Sequence, residues 1–454
     1  MKEGLSKNMK PLKIVIIGAS FAGLSSALTA KKLHPHVSVT VIDRQKTVGF
    51  IPSSINRILK GKSKNLTEEN AITQKQLEEA GIDLLLGQEV EAIHADQKVL
   101  HLKNNTTISY DKLILAMGSV QTSERIDGAD HPAVLTTKTL AESTHSQQEL
   151  EKSEHILIVG GGQVGLEAAD AYTTRGKKVT IVESFDDLAF KSFDAEMIKE
   201  LEQRMVAQEV TIHKNQQAET IKPNGASLVT RTSQQIELIS DHVLLAINFR
   251  PNTTLVENSL ESHLDNTLIV NDYLQTSDSD IYATGDLIRV PYLNTKSYYY
   301  LPFVSHAIVT GRIAAMNALG YFEPLEPFVR VVGAQLFGLY IASVGLTEEE
   351  AQLYHETTAT IFRQETENQT LITVKLITEK ASGRLLGGQV YSEANILPMM
   401  DILATAIKGN MTDRDLAFQD YLYYAIEKTN SSALHNAAFS IYQKRLKEAG
   451  EDAS

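Results

Sequence analysis

The chain has 454 residues, more than a single compact core holds, so two or three domains are expected. Its 43% apolar and 22% charged content is that of an ordinary globular protein, and a net charge of −13 argues against nucleic acid and anionic membrane as partners. With no cysteine in the chain, disulfides, thiolate metal sites and thiol catalysis are excluded.

The opening "MKEGLSKNMK" is polar, and no apolar run approaches the ~20 residues that cross a bilayer. Cytoplasmic residence and no membrane span are therefore expected. Ile14 to Ile17 is a β-branched run that reads as a buried parallel strand. Gly18 opens a tight turn, Gly23 lets the helix "LSSALTAKKL" pack close, and a second strand, "VSVTVID", ends in Asp43. This layout sets a pyrophosphate on a helix N-terminus and a carboxylate on a ribose hydroxyl about 20 residues further on. Ser20 replaces the middle glycine and is small enough for close backbone approach. An ordinary strand–helix turn without a ligand is the plainer reading of this motif alone.

Further along, "AITQKQLEEAGIDLL" predicts a helix with a solvated charged face running into a strand, and "KLILAMGS" a buried strand ending at a glycine. "HILIVGGGQVGLEAADAYTTRGKKVTIVES" repeats the first layout with Gly160, Gly162 and Gly165 at full spacing and Glu183 at the end of the next strand. An acid there accepts from the adenosine ribose and repels a 2′-phosphate, which favours NADH over NADPH. Arg175, Lys177 and Lys178 read as solvated charge at the far end of that helix. "SDIYATGDL" is a strand running into Gly285 and Asp286, at the sheet edge where open α/β sheets bind ligands. "SYYYLPF" reads equally as aromatic filler or as part of a pocket, and "ILPMMDILATAIKGNMT" as a helix facing core and dimer interface. The 13 histidines contain no ligand-like pair, so no metal is expected. Two dinucleotide units about 140 residues apart suggest two different dinucleotides, one of them a flavin.

The ordered set "GASFAG", "LILAMGS", "VGGGQVGLEAAD", "LLAINFRPNTTL", "IYATGD" and "GRLLGGQVYSEANILPMMDILATAIKGNMTDRDLA" resembles the NADH oxidase, NADH peroxidase and coenzyme A-disulfide reductase group of the pyridine nucleotide-disulfide oxidoreductases over nearly the whole chain. The resemblance implies an α/β fold like glutathione reductase: two Rossmann-like dinucleotide-binding domains plus a C-terminal α+β dimerisation domain. It implies FAD binding by 1–122 and 251–325, NAD binding by 123–250, and a homodimer formed by 326–454. Carried over position by position, it puts FAD on Gly18, Ser20, Phe21, Ala22 and Gly23, with Asp43 and Arg44 at the ribose and Val90 near the adenine. Ala116, Gly118, Gly285, Asp286, Leu301, Pro302 and Phe303 complete the implied flavin cradle. NADH is implied over Gly160, Gly162, Gln163, Val164, Gly165 and Glu183, with Glu167 pointing back toward the flavin.

Departures from the family pattern decide the expected chemistry. In "GFIPSS", Ser53 takes the place of the family's redox cysteine; Phe21 replaces its neighbouring histidine, and Gln163 the tyrosine that shields the flavin. Asn248 stands for a glycine, and Tyr423 survives without the two prolines after it, which are Ala425 and Ile426. A serine without an activating base neither attacks nor stores an oxidising equivalent. The site thus reads as Ser53, Phe21, Glu167 and Tyr423 lining a flavin with no thiol relay. The expected reaction is hydride transfer from NADH to FAD, then two electrons to dioxygen with release of hydrogen peroxide. Two alternatives stand beside it. One is transfer to a quinone-like molecule or a partner protein in a pocket of Phe21, Pro52, Ser53 and Tyr423; the other is a non-catalytic flavoprotein that senses NADH.

Overall fold

A computed structural model describes residues 11–68, 70, 72–189, 191–365, 369–420 and 431–452. The strand Lys13–Ile17 lies at the centre of a five-stranded parallel sheet. Lys112–Leu115 and Ile281–Ala283 extend it on one side, Ser38–Asp43 and Asp83–Leu86 on the other. Both faces of that sheet are covered, which is why "KIVII" is a continuous apolar run rather than an alternating one. A second sheet follows the same plan: His155–Val159 is central, flanked by His242–Leu245 and Val134–Leu135 on one side and by Lys178–Val182 and Thr211–His213 on the other. Each unit also carries a three-stranded antiparallel sheet, 90–109 in the first and 218–240 in the second.

The two units are joined by a short antiparallel ribbon, Ser119–Gln121 against Phe249–Pro251. Its two approaches mirror each other. Asn252 donates to the Gly118 carbonyl at 2.9 Å, and Thr122 to that of Asn248 at 3.0 Å. Both accepting residues have positive φ, +67° and +59°. Asparagine tolerates that region better than other side-chain-bearing residues. Asn248 thus meets a backbone demand that glycine meets at Gly118.

Residues 331–392 form a five-stranded antiparallel sheet on which helices Leu397–Lys408 and Ser431–Asp452 lie. It is bolted to the second nucleotide unit by Lys375, 2% exposed, whose ammonium meets Asp194 at 2.8 Å, Glu348 at 2.7 Å and Glu196 at 2.5 Å. Burial alone would depress that ammonium; the carboxylates around it more than reverse the effect and raise it. Among the described residues, no helix is long and apolar enough to cross a membrane.

Candidate active site

The first turn is shaped by glycines that no other residue can replace. Gly18 has φ +117°, and a Cβ there would stand 2.2 Å from the Ala116 carbonyl oxygen; one on Gly23 would stand 1.9 Å from that of Gly18. Helix Phe21–Leu33 starts at Ser20, whose side chain makes no capping bond, and its first turn holds no acid. The leading amides are therefore left for an anion. Asp43 closes the turn from the next strand, accepting from the Ala19 amide at 2.6 Å and the Gln45 amide at 2.7 Å. Burial pushes its carboxyl above the ordinary range although both amides pull it down. Arg44 is exposed beside it, and Gln88 donates to the Asp43 carbonyl at 3.0 Å, bringing up the strand that Val90 opens.

Helix Val304–Ala318, from a remote stretch of the chain, crosses helix Phe21–Leu33. Small residues allow it: a Cβ on Gly311 would lie 2.3 Å from the Ala22 carbonyl oxygen, and Ser26 donates to the Gly311 carbonyl at 2.8 Å. Gly285, with φ +65°, presses to within 3.1 Å of the Ala22 methyl by the same measure and donates to Thr310 at 3.0 Å. Leu301 and Phe303 lead into that helix, with Pro302 exposed between them. His306, 4% exposed, braces the segment: its ring meets Phe303 and Phe328 edge-on, and Nδ1 lies 3.2 Å from the Leu301 carbonyl. Burial holds its imidazole below the usual range, hence neutral.

Asp286 sits in a network that the sequence did not disclose. Ser119 donates to it at 2.7 Å, and the Lys138 ammonium lies 2.8 Å from the Ser119 oxygen and 3.8 Å from the carboxylate. Tyr300 is half-buried alongside, its phenol raised by burial and by Asp286. Thr284, just ahead, has a hydroxyl with no hydrogen-bond partner among the described residues, in a fully buried side chain. The capping box Thr139–Glu142 next to Lys138 signals a helix start, but nothing local reveals where the lysine reaches. Of the rest of the tyrosine run, Tyr298 is exposed and Tyr299 packs inward. Tyr299 shares a hydroxyl contact with Tyr354 at 2.9 Å and stacks edge-on against Tyr292.

The second turn repeats the first. Gly160 has φ +110°, a Cβ on Gly165 would lie 1.9 Å from the Gly160 carbonyl oxygen, and Gly161 donates to Glu183 at 2.6 Å. Helix Gln163–Thr174 starts at Gly162, where an added Cβ would meet nothing within 4 Å. Val164 is exposed above it. Gln163 donates to Glu167 at 3.0 Å, which ties it to the acid one turn on.

Between the turns runs the segment 49–59. Gly49 donates to the Ala19 carbonyl at 2.9 Å, anchoring it two residues from Phe21. Ser53 is half-buried at the start of helix Ser54–Leu59 and does not cap it. The Ser54 hydroxyl, fully buried, has no partner among the described residues. Tyr423 lies outside the described residues, as do Ala425 and Ile426. Arg175 and Lys178 are exposed and Lys177 half-buried, but two of these basic residues also have backbone partners. Arg175 donates to the carbonyls of Leu59 and Ile58, and Lys177 to those of Glu151 and Ser153. Orphan carbonyls at helix ends explain both. Uncapped helix N-termini and the open space above Gly162 and Gly118 fit two bound dinucleotides.

A family model described as pyridine nucleotide-disulphide oxidoreductase matches residues 12–310, and one for the dimerisation domain of the same group matches 331–425. An NADH oxidase of Enterococcus faecalis is 28% identical over 91% of this chain and 95% of its own. A CoA-dependent NAD(P)H sulfur oxidoreductase of Pyrococcus furiosus is also 28% identical, over 91% of this chain and 96% of its own. The solved structure of a water-forming NADH oxidase from Lactobacillus brevis, bound to NADH, superposes with a TM-score of 0.91 at 25% identity, covering 96% of this chain and all of that one.

Proposed function

Given that the chain belongs to the pyridine nucleotide-disulphide oxidoreductase family, we propose that this FAD-dependent NAD(P)H oxidoreductase oxidises NADH with dioxygen and releases hydrogen peroxide. In balance, NADH, one proton and dioxygen give NAD⁺ and hydrogen peroxide. One observation carries the reading: two intact dinucleotide turns flank a segment whose thiol position is Ser53, in a chain without cysteine. FAD, when bound, supplies the two-electron relay between nicotinamide and acceptor.

The chain's own residues do the holding. Gly18, Ser20, Phe21, Ala22 and Gly23 offer backbone to the FAD pyrophosphate, Asp43 with Arg44 faces the adenosine ribose, and Val90 the adenine. Asp286, aligned by Ser119 and Lys138, accepts from the ribityl side, within a cradle closed by Ala116, Gly118, Gly285 and Leu301 to Phe303. Gly160 to Gly165 take the NADH pyrophosphate, and Glu183, buried against the turn amide, accepts from the ribose and repels a 2′-phosphate. Phe21 and Ser53 exclude a general base and a thiolate from the acceptor side, which leaves no residue to reduce peroxide further. The same reading gives FAD binding to 1–122 and 251–325, NAD binding to 123–250, and a homodimer to 326–454.

The test is anaerobic reduction by NADH, then mixing with oxygen, a quinone and a disulfide in turn. The expected result is rapid bleaching of the flavin, reoxidation by oxygen with about one hydrogen peroxide per NADH, and no reaction with the disulfide. Oxygen uptake without peroxide would refute the oxidase form. Slow reaction with oxygen and fast reaction with the quinone would transfer the assignment to an organic acceptor.

A further inference from the structure

Six residues make too short a helix to persist unaided, yet Ser54–Leu59 carries the Ser53 position. What holds it is the second nucleotide helix. Ile55 and Leu59 are buried in one cluster with Leu166, Ala169 and Tyr172 of that helix. The Arg175 guanidinium, just past the helix, donates to the last carbonyls of the short one, at 2.5 Å to Leu59 and 3.2 Å to Ile58. Lys60 forms an ion pair with Asp170, the two side chains 16% and 10% exposed, and donates to the Gln335 carbonyl of the C-terminal sheet at 3.3 Å. The other end of the segment hangs on the first turn through Gly49.

Helix Gln163–Thr174 thus has two tasks. Its N-terminal turn, Gly162 to Gly165, is the NADH end; its C-terminal half grips the segment that replaces the redox cysteine. The whole helix is about 18 Å long, and such a rod moves as one body. We propose that Asp170 and Arg175 are positioning residues, which set the place of Ser53 and the acceptor face through Lys60 and the Ile58 and Leu59 carbonyls. Nucleotide at the turn and order in segment 49–62 are then coupled, and the coupling is reciprocal. This rests on the oxidoreductase reading above. It assigns neither residue a contact with substrate or cofactor.

Two readouts test it on the full-length, flavin-loaded protein. The first is hydrogen exchange of residues 49–62 with and without NAD⁺. Slower exchange on NAD⁺ addition is expected in the wild type, absence of that response in Asp170→Asn with NAD⁺ affinity within about twofold, and its return in Asp170→Glu. The second is the split between half-reactions. Asp170→Asn is expected to leave reduction by NADH nearly unchanged and to slow reoxidation by the acceptor roughly 10- to 100-fold, the scale of a small misplacement. An unresponsive segment 49–62 in the wild type overturns the proposal. So does an equal fall in both half-reactions of Asp170→Asn, which a merely loosened fold would give. If NADH fails to bleach the wild-type flavin, the oxidoreductase reading itself has failed, and the exchange measurement still decides whether turn and segment are coupled.

Discussion

The turns at Gly18 and Gly160 bend with φ of +117° and +110°, and in each a carboxylate from the next strand accepts from the second residue's amide at 2.6 Å. Their surroundings differ. Helix Val304–Ala318 crosses directly over the first, with Gly285 and Gly311 pressed on Ala22, whereas above the second Gln163 and Val164 face solvent and nothing approaches Gly162 within 4 Å. A dinucleotide held under a second helix from a remote stretch of chain is enclosed and stays. One lying on an open turn can leave after each turnover. On the proposed assignment, the same six-residue device would serve a prosthetic group at one place and a co-substrate at the other, with the neighbours deciding which.

Breaking each turn at its equivalent glycine gives the largest effects. A Cβ at Gly23 or Gly165 would stand 1.9 Å from a carbonyl oxygen, so the helix must move off its strand, at a cost of about 3 kcal/mol or more. Gly23→Ala is expected to give colourless protein and Gly165→Ala yellow protein that NADH no longer bleaches; absorbance spectra distinguish them. If both variants kept flavin and responded to NADH, the contrast between the turns would be lost.

Next in size is the bolt between the second unit and the C-terminal sheet. Lys375→Met leaves buried Asp194 and the more exposed Glu196 and Glu348 facing one another without their cation, which costs about 2–3 kcal/mol, less than the roughly 3–5 of a fully buried pair because solvent reaches two of the three carboxylates. Thermal unfolding should show a lowered midpoint. Flavin content should change little, since the first turn is roofed by a different helix. Release of flavin at the same temperature as global unfolding in wild type, but well below it in the variant, would contradict that independence.

Smaller still is the carboxylate of the open turn. A hydrogen bond to a charged group is worth about 1.5–3 kcal/mol, so Glu183→Ala is expected to raise KM for NADH roughly 10- to 100-fold with kcat little changed. It also removes the charge that repels a 2′-phosphate, so the preference for NADH over NADPH should narrow, as steady-state kinetics with both nucleotides will show.

Much of this was legible beforehand because it is local. "KIVII", "HILIV", the glycine spacings and the acids at strand ends are read within short stretches, and the structure puts them in two equivalent sheets. What sequence could not give are the encounters between distant stretches: Lys138 with Asp286, Arg175 with Leu59, Lys60 with Asp170. In each, a charged side chain that local pattern assigns to solvent finds a partner fixed by tertiary folding. Asn248 is the opposite case. Its identity suggested decay of the site, whereas its φ of +59° shows a backbone conformation that glycine favours.

The subtlest contrast lies in the two acids, and it turns on pH. Asp43 is raised above its ordinary value of 3.8 chiefly by burial, against the pull of the Ala19 and Gln45 amides. The flavin-free folded state therefore holds this proton more tightly than the unfolded chain does. Its contribution to stability is greatest below the ordinary carboxylate value and is lost as pH rises through the elevated folded one. Asp43→Asn removes that penalty, so the variant's apoprotein should unfold at a slightly higher temperature than wild type near neutral pH, with the advantage shrinking as pH falls through that window. If the FAD ribose lies on Asp43 as proposed, the sign reverses with FAD bound, because ribose hydroxyls favour the charged carboxylate as acceptor. Melting curves of both proteins with and without FAD, across that pH range, should therefore cross. If Asp43→Asn lowers the midpoint of apoprotein and holoprotein alike, then Asp43 stabilises the turn instead of being kept, at some expense of stability, for the nucleotide.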